Sequence, residues 1–129
     1  MKEPDEAIDE LAHRVIGAAI EVHRILGPGF LESVYEEALC AELTIRSLSF
    51  KRQVPISIEY KGHCVGEGRI DLIIHDKIII ELKAVEAFAP IHMAQLLSYL
   101  RATGIQLGLL INFQAALLRE GLKRIVLST

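Results

Sequence analysis

The sequence predicts an α/β fold, a mixed sheet of four strands with helices on both faces, or of five strands if the C-terminal tail adds one. Three observations carry this. Apolar residues recur at helical spacing through the first third of the chain. Three strand-like segments joined by short connections fill the middle third. A further helix then leads into a short apolar strand. The order is α-α-β-β-β-α-β(-β), in which a three-strand meander, a crossover helix and a returning strand make the sheet mixed.

The first helix is marked by Ile8, Leu11, Ala12, Val15, Ile16, Ala19 and Val22 at helical spacing. Asp5 and Glu6 lie at its start, where carboxylates complement the helix dipole, and Gly27-Pro28-Gly29 ends it. The second helix has Leu31, Val34, Ala38, Leu39 and Leu43 as its expected buried stripe and fades near Ser47. Residues 54–60 alternate as a strand, and Lys61-Gly62-His63 reads as a turn. Further strands are expected from about Val65 to Ile74 and from about Ile78 to Ala84. Ile70 to Ile74 and Ile78 to Leu82 are largely apolar at both parities, as in strands covered on both faces. Pro90 opens the crossover helix, which stops at Thr103-Gly104. Leu107 to Phe113 is the returning strand, and Leu122 to Leu127 is the candidate fifth.

Composition narrows the class. The chain has 129 residues, 51% hydrophobic and 24% charged, with no linker, repeat or low-complexity stretch, so one domain over 1–129 is expected. It is too apolar to be disordered. Charges interrupt every apolar run before the roughly 20 residues of a membrane span. The acidic start, Met1 to Glu10, does not read as a secretory signal. Cys40 and Cys64 lack metal-ligand spacing and read as free thiols of a reducing cytoplasm. A net charge of −3 argues against coating nucleic acid by bulk charge, though not against a local grip around an acidic metal site.

Three charges stand against the pattern, because Asp71, Glu81 and Lys83 interrupt the two most apolar strands. Burying a charge is costly unless it is paired or bound to a metal. Glu81 and Lys83 are two apart and share a strand face. If His75-Asp76-Lys77 is the loop, Ile74 pairs with Ile78 and Asp71 lies opposite Glu81, with Cβ atoms about 4.5–5.5 Å apart. Arg69 then lies opposite Lys83. A two-residue loop would send Asp71 to the other face. The ordinary reading is a salt-bridge network with Lys83 or Arg69. The sharper one is a hard divalent cation between the two carboxylates, since such ions take carboxylate oxygens, a backbone carbonyl and waters.

The helices add candidates. His92, Gln95 and Tyr99 fall on one face of the crossover helix, beside an apolar face of Met93, Leu96, Leu97 and Leu100. Glu32 and Glu36 lie one turn apart on the second helix with Tyr35 between them. A polar helical face is commonly just solvated, and a glutamate at a helix start commonly just complements the dipole.

Taken together, these residues resemble a known family. Asp71 followed by Glu81-Leu82-Lys83 resembles the D…ExK signature of the PD-(D/E)XK nuclease superfamily, whose core has the order α-β-β-β-α-β. Gln95-Leu96-Leu97-Ser98-Tyr99 resembles the QxxxY motif of its RecB-like branch. Gly29 to Tyr35 fits the pattern of the prokaryotic GxxExxY family within it. The resemblance spans about residues 8 to 127, and it departs from the pattern at Ile70, where proline often precedes the aspartate. It implies a restriction-endonuclease-like core and a hydrolase cleaving DNA or RNA with Mg²⁺ or Mn²⁺. Asp71, Glu81, the Leu82 backbone carbonyl and Glu32 would hold the metal. Lys83 would orient the attacking water or stabilise developing charge, and Gln95 and Tyr99 would position substrate.

A metal held by carboxylates supplies a nucleophilic water and charge neutralisation, and an ammonium adds electrostatic stabilisation. Phosphate contacts could come from Arg52, Arg69, Arg101 and Lys123. The alternative is a non-catalytic nuclease-fold module that binds nucleic acid or a protein partner. Intact Asp71, Glu81 and Lys83 argue against it, while the acidic balance and small surface argue for it. A homodimer would widen that surface.

Overall fold

The computed structural model describes residues 4–127, so the outermost residues of the expected 1–129 span lie outside it. Helix α1 (Glu6–Leu26) begins where the Asp5 carboxylate accepts the Ile8 N–H at 3.0 Å, a side-chain cap on an otherwise unpaired donor. It ends at Gly27, whose φ of +67° a side chain would resist. Helix α2 (Glu32–Ile45) corrects the expected stripe. Tyr35, Leu39, Cys40 and Leu43 are buried, whereas Leu31 and Val34 stay exposed and Ala38 is only partly covered.

Tyr35 can be buried because its hydroxyl is satisfied. It donates to the Gly27 carbonyl at 2.5 Å and accepts the Phe30 N–H at 3.1 Å. Its ring stacks on buried Phe113 at 4.7 Å. Tyr35→Phe should therefore keep the stack and cost about 1–2 kcal/mol, the loss expected when a buried polar pair is broken. Urea unfolding of the two proteins checks this.

The strands are β1 (Phe50–Tyr60), β2 (His63–Ile74), β3 (Ile78–Lys83), β4 (Leu107–Asn112) and β5 (Leu122–Val126), with α3 (Pro90–Thr103) between β3 and β4. They lie in the order β1-β2-β3-β4-β5, so the tail does add a fifth strand. The β3–β4 pair is parallel and the other neighbours are antiparallel. β1 starts four residues before the expected Val54. It is an edge strand, so consecutive Lys51 and Arg52 break the apolar alternation without breaking the pairing of Phe50, Lys51 and Arg52 to Ile74, Ile73 and Leu72.

Two apolar layers cover the sheet. Leu72, Ile74, Ile78, Ile80, Leu82, Leu109 and Ile111 pack with α1 and α2. Ile73, Ile79 and Leu110 pack on the other face with Leu96, Tyr99 and Leu100 of α3. Ile70 belongs with this second group although it is two residues from Leu72. Likewise Phe50 packs on the first layer, and Val54 on the second. Residues two apart in a regular strand share a face, so β1 and β2 both exchange faces near Gln53 and Asp71. Gln53 has φ +52°, and its pairing to Asp71 is skipped in the ladder.

Candidate active site

The β2–β3 connection is His75-Asp76-Lys77, which pairs Ile74 with Ile78. That register, continued, sets Asp71 opposite Glu81. The ladder itself stops at Leu72 and Ile80, and the two carboxylates fill the opening beyond it. The Asp71 N–H donates to Glu81 Oε2 at 2.8 Å, and the Leu82 N–H donates to Asp71 Oδ2 at 2.8 Å. Each acid thus satisfies a backbone donor that the diverging strands leave without a carbonyl.

The parallel pairing places the next groups. Lys83 O accepts the Phe113 N–H at 2.9 Å, so the Lys83 carbonyl points toward β4. Successive carbonyls point to opposite strand edges, so the Leu82 carbonyl faces the opening beside Asp71. Asn112, 4% exposed, anchors the chain after Lys83. It accepts the Val85 N–H at 3.1 Å and donates to the Val85 carbonyl at 2.7 Å.

The electrostatics join four side chains. Burial, and next the charge of Asp71, push the Glu81 carboxyl up to about 8, and the hydrogen bond from the Asp71 N–H and the Lys83 ammonium only partly oppose this. Burial also raises the pKa of Asp71, against the Leu82 N–H and the Lys83 ammonium. Glu32, at the start of α2, is raised by partial burial, lowered by Lys83 and raised again by Asp71. Lys83 makes no ion pair with any of them among the described residues. The cluster therefore carries more negative charge than its one ammonium offsets.

Glu36, one turn beyond Glu32, is committed elsewhere: Oε2 takes Arg52 at 2.8 Å and Oε1 takes Gln53 at 2.8 Å. Arg52 also holds Glu37 at 2.7 Å. Arg69 donates to the Gln53 carbonyl at 3.3 Å and lies 3.7 Å from Glu67 rather than beside Lys83. Arg101 and Lys123 are exposed on α3 and β5.

The crossover helix differs from the expected polar seam. Tyr99, 8% exposed, is part of the apolar layer, with its ring over Gly68, where any Cβ would come within 2.9 Å of it. Leu97, expected on the apolar face, is only half-buried. His92 Nδ1 accepts the Ala89 N–H at 3.0 Å at the helix start. Gln95 is half-buried one turn from Tyr99, and no hydrogen bond joins either side chain to the carboxylates. Cys40 is buried and Cys64 exposed, both as free thiols.

Sequence reasoning misses Gln53 and Asn112. A glutamine in an edge strand carries no mark of its left-handed backbone. Asn112 is hidden in a run read as continuously apolar, where a lone buried amide is the available signal.

The donor chemistry fits a hard divalent cation. The oxygens of Glu32, Asp71 and Glu81 carry excess negative charge, which is what a small, oxygen-seeking ion offsets. Among the described residues no three histidines, cysteines or acids form a ready-made metal cluster. No helix among the described residues is long and apolar enough to cross a membrane.

A family model described as the PD-(D/E)XK nuclease superfamily matches residues 9–125. No curated protein matches the chain. Among solved structures, the crystal structure of SSO0001 is similar, with 21% identity and a TM-score of 0.58. The match covers 75% of this chain and only 50% of that one, so the likeness is one of fold.

Proposed function

The chain belongs to the PD-(D/E)XK nuclease superfamily, and on that premise we propose that it is a divalent-metal-dependent nuclease hydrolysing phosphodiester bonds of DNA or RNA, a single domain of the GxxExxY branch. The observation that carries the reading is a buried Glu81 and a half-buried Asp71 filling the opening between β2 and β3, beside an ammonium that makes no ion pair among the described residues. Nothing in an ordinary core benefits from two repelling acids there.

Asp71, Glu81, the Leu82 carbonyl and Glu32 would hold Mg²⁺ or Mn²⁺. Glu32 is favoured over Glu36 because both Glu36 oxygens are already bonded. The ion, when bound, supplies charge neutralisation and a more acidic water. Lys83 adds a positive charge at the rim, where it would steady the water or the negative charge developing on the phosphoryl oxygens. Asn112 keeps the chain behind Lys83 in place. Gln95 and Tyr99 remain the proposed substrate-positioning pair. The Tyr99 ring also serves as a packing element of the apolar layer under α3.

The test is cleavage of single- and double-stranded DNA and RNA with Mg²⁺ or Mn²⁺. Cleavage of at least one substrate that requires metal and is lost in Asp71→Ala supports the reading. Undiminished cleavage by Asp71→Ala would sink it. Metal binding with no cleavage of any substrate would favour the non-catalytic module. Binding is read separately by melting. An ion at a hundred times its Kd should stabilise the fold by about 2.7 kcal/mol, and the Asp71→Ala, Glu81→Ala double variant should show no shift.

A further inference from the structure

Gln53 is the least expected feature near the site. It sits inside β1 with φ +52°, a left-handed conformation that a long side chain rarely adopts. It stands where the β1–β2 ladder skips one pair, between Arg52–Leu72 and Val54–Ile70. The register is the same on both sides of the gap, so no inserted residue forces the distortion. Strain of this kind persists only where the surroundings over-determine it, and it clusters at functional sites.

The conformation sends the Gln53 amide between two acids. Nε2 donates to Glu36 Oε1 at 2.8 Å and lies 3.4 Å from Asp71 Oδ1. Both acids are held at their other oxygen, Glu36 by Arg52 at 2.8 Å and Asp71 by the Leu82 N–H at 2.8 Å. The Gln53 carbonyl is itself held by Arg69 at 3.3 Å. A continuous polar chain thus runs from Arg52 through Glu36 and Gln53 to Asp71, tying α2 to the strand that carries the acid.

The geometry points to Gln53 as a positioning residue, whose amide fixes the orientation of the Asp71 carboxylate for a divalent cation. The inference rests on the reading of Asp71 as a cation ligand. Groups that orient a metal-binding carboxylate set its affinity without touching the ion. A packing role would not need an amide aimed at two carboxylates, and a turn-forming role would favour glycine at this backbone angle.

That last contrast supplies the test. Mn²⁺ binding by calorimetry and metal-free melting are measured on the full chain for the wild type, Gln53→Ala, Gln53→Gly and Asp71→Ala. Gln53→Gly removes the amide and relieves the backbone, whereas Gln53→Ala removes the amide and keeps the strain. Both should bind Mn²⁺ about 10–100-fold more weakly than wild type. Metal-free Gln53→Gly should melt at or above Gln53→Ala and yet bind no better. Affinity recovered in Gln53→Gly in step with its melting temperature would reduce Gln53 to a backbone role and overturn the proposal. So would wild-type affinity in both variants with binding lost in Asp71→Ala, an outcome that leaves the cation reading standing. Unchanged Mn²⁺ binding in Asp71→Ala would overturn the cation reading and the positioning role with it.

Discussion

Glu81→Gln should cut cleavage by about a thousandfold or more while making the metal-free protein more stable at pH 8. The two effects have one origin. Glu81 is 3% exposed, faces Asp71 across the opening and has its carboxyl pushed up to about 8. In the unfolded chain the same carboxyl titrates near 4.5. At pH 8 folding must therefore retain a proton that the unfolded chain has released, or bury the charge. Glutamine is neutral, nearly the same size, and its Oε1 can still accept the Asp71 N–H. The substitution removes a repulsion and a potential cation ligand together. Below about pH 3.5, a unit under the unfolded pKa, Glu81 is mostly protonated in both states and the two proteins should melt alike. Comparing melting temperatures at about pH 3.5 and pH 8 in EDTA, with cleavage at pH 8 in Mg²⁺, checks both halves. A variant that loses stability at pH 8 and keeps its activity would show Glu81 to be an ordinary buried acceptor. Stability gained where activity is lost is the mark of a group retained for chemistry.

The approach of Asp71 to Glu81 is readable before any coordinates because loop length and the period of two set the register that leads up to them, as far as Leu72 and Ile80. His75-Asp76-Lys77 is an odd-length connection, and the parity follows. The helices on both faces are equally readable, since the Ile70–Ile74 end of β2 and the Ile78–Leu82 stretch of β3 are largely apolar at both parities. Other features escape because they depend on distant partners. Tyr35 is buried through a hydroxyl bond to Gly27 and a stack on Phe113, far away in sequence. Tyr99 looks like part of a polar seam until Gly68 provides a flat surface for its ring. Regular parity also fails near Asp71, where β1 and β2 change faces at Gln53. A left-handed glutamine has no sequence signal, so period-two counting continues straight through it. The acids of the site are thus legible from their conflict with the pattern, and the groups that orient them are not.

The metal-free protein should lose stability as pH rises from about 4.5 toward 8, and Mg²⁺ should reverse that slope. Glu81 has a folded-state pKa of about 8 against 4.5 unfolded, and Asp71 is raised in the same direction. Between these limits the folded state holds more protons than the unfolded state. The derivative of unfolding free energy with pH is then negative, at most about 1.4 kcal/mol per pH unit for each retained proton. The contribution is fully present below the unfolded pKa and is gone once pH passes the folded one. Carboxylates lowered by exposed partners, such as Glu21 beside Arg24 and Glu37 beside Arg52, act in the opposite direction and weakly, because solvent screens them. A bound cation prefers the ionised acids, so its apparent affinity should rise up to about tenfold per pH unit for each proton displaced. Saturating Mg²⁺ should therefore stabilise the fold most at the alkaline end, where the metal-free protein is weakest. Melting curves from pH 4.5 to 8.5, in EDTA and in Mg²⁺, give both slopes. Glu81→Gln should flatten the first and remove most of the second. A metal-free profile as flat in the wild type as in Glu81→Gln would mean that the two acids share their charge without strain, and that a salt-bridged core describes Asp71, Glu81 and Lys83 better than a cation site.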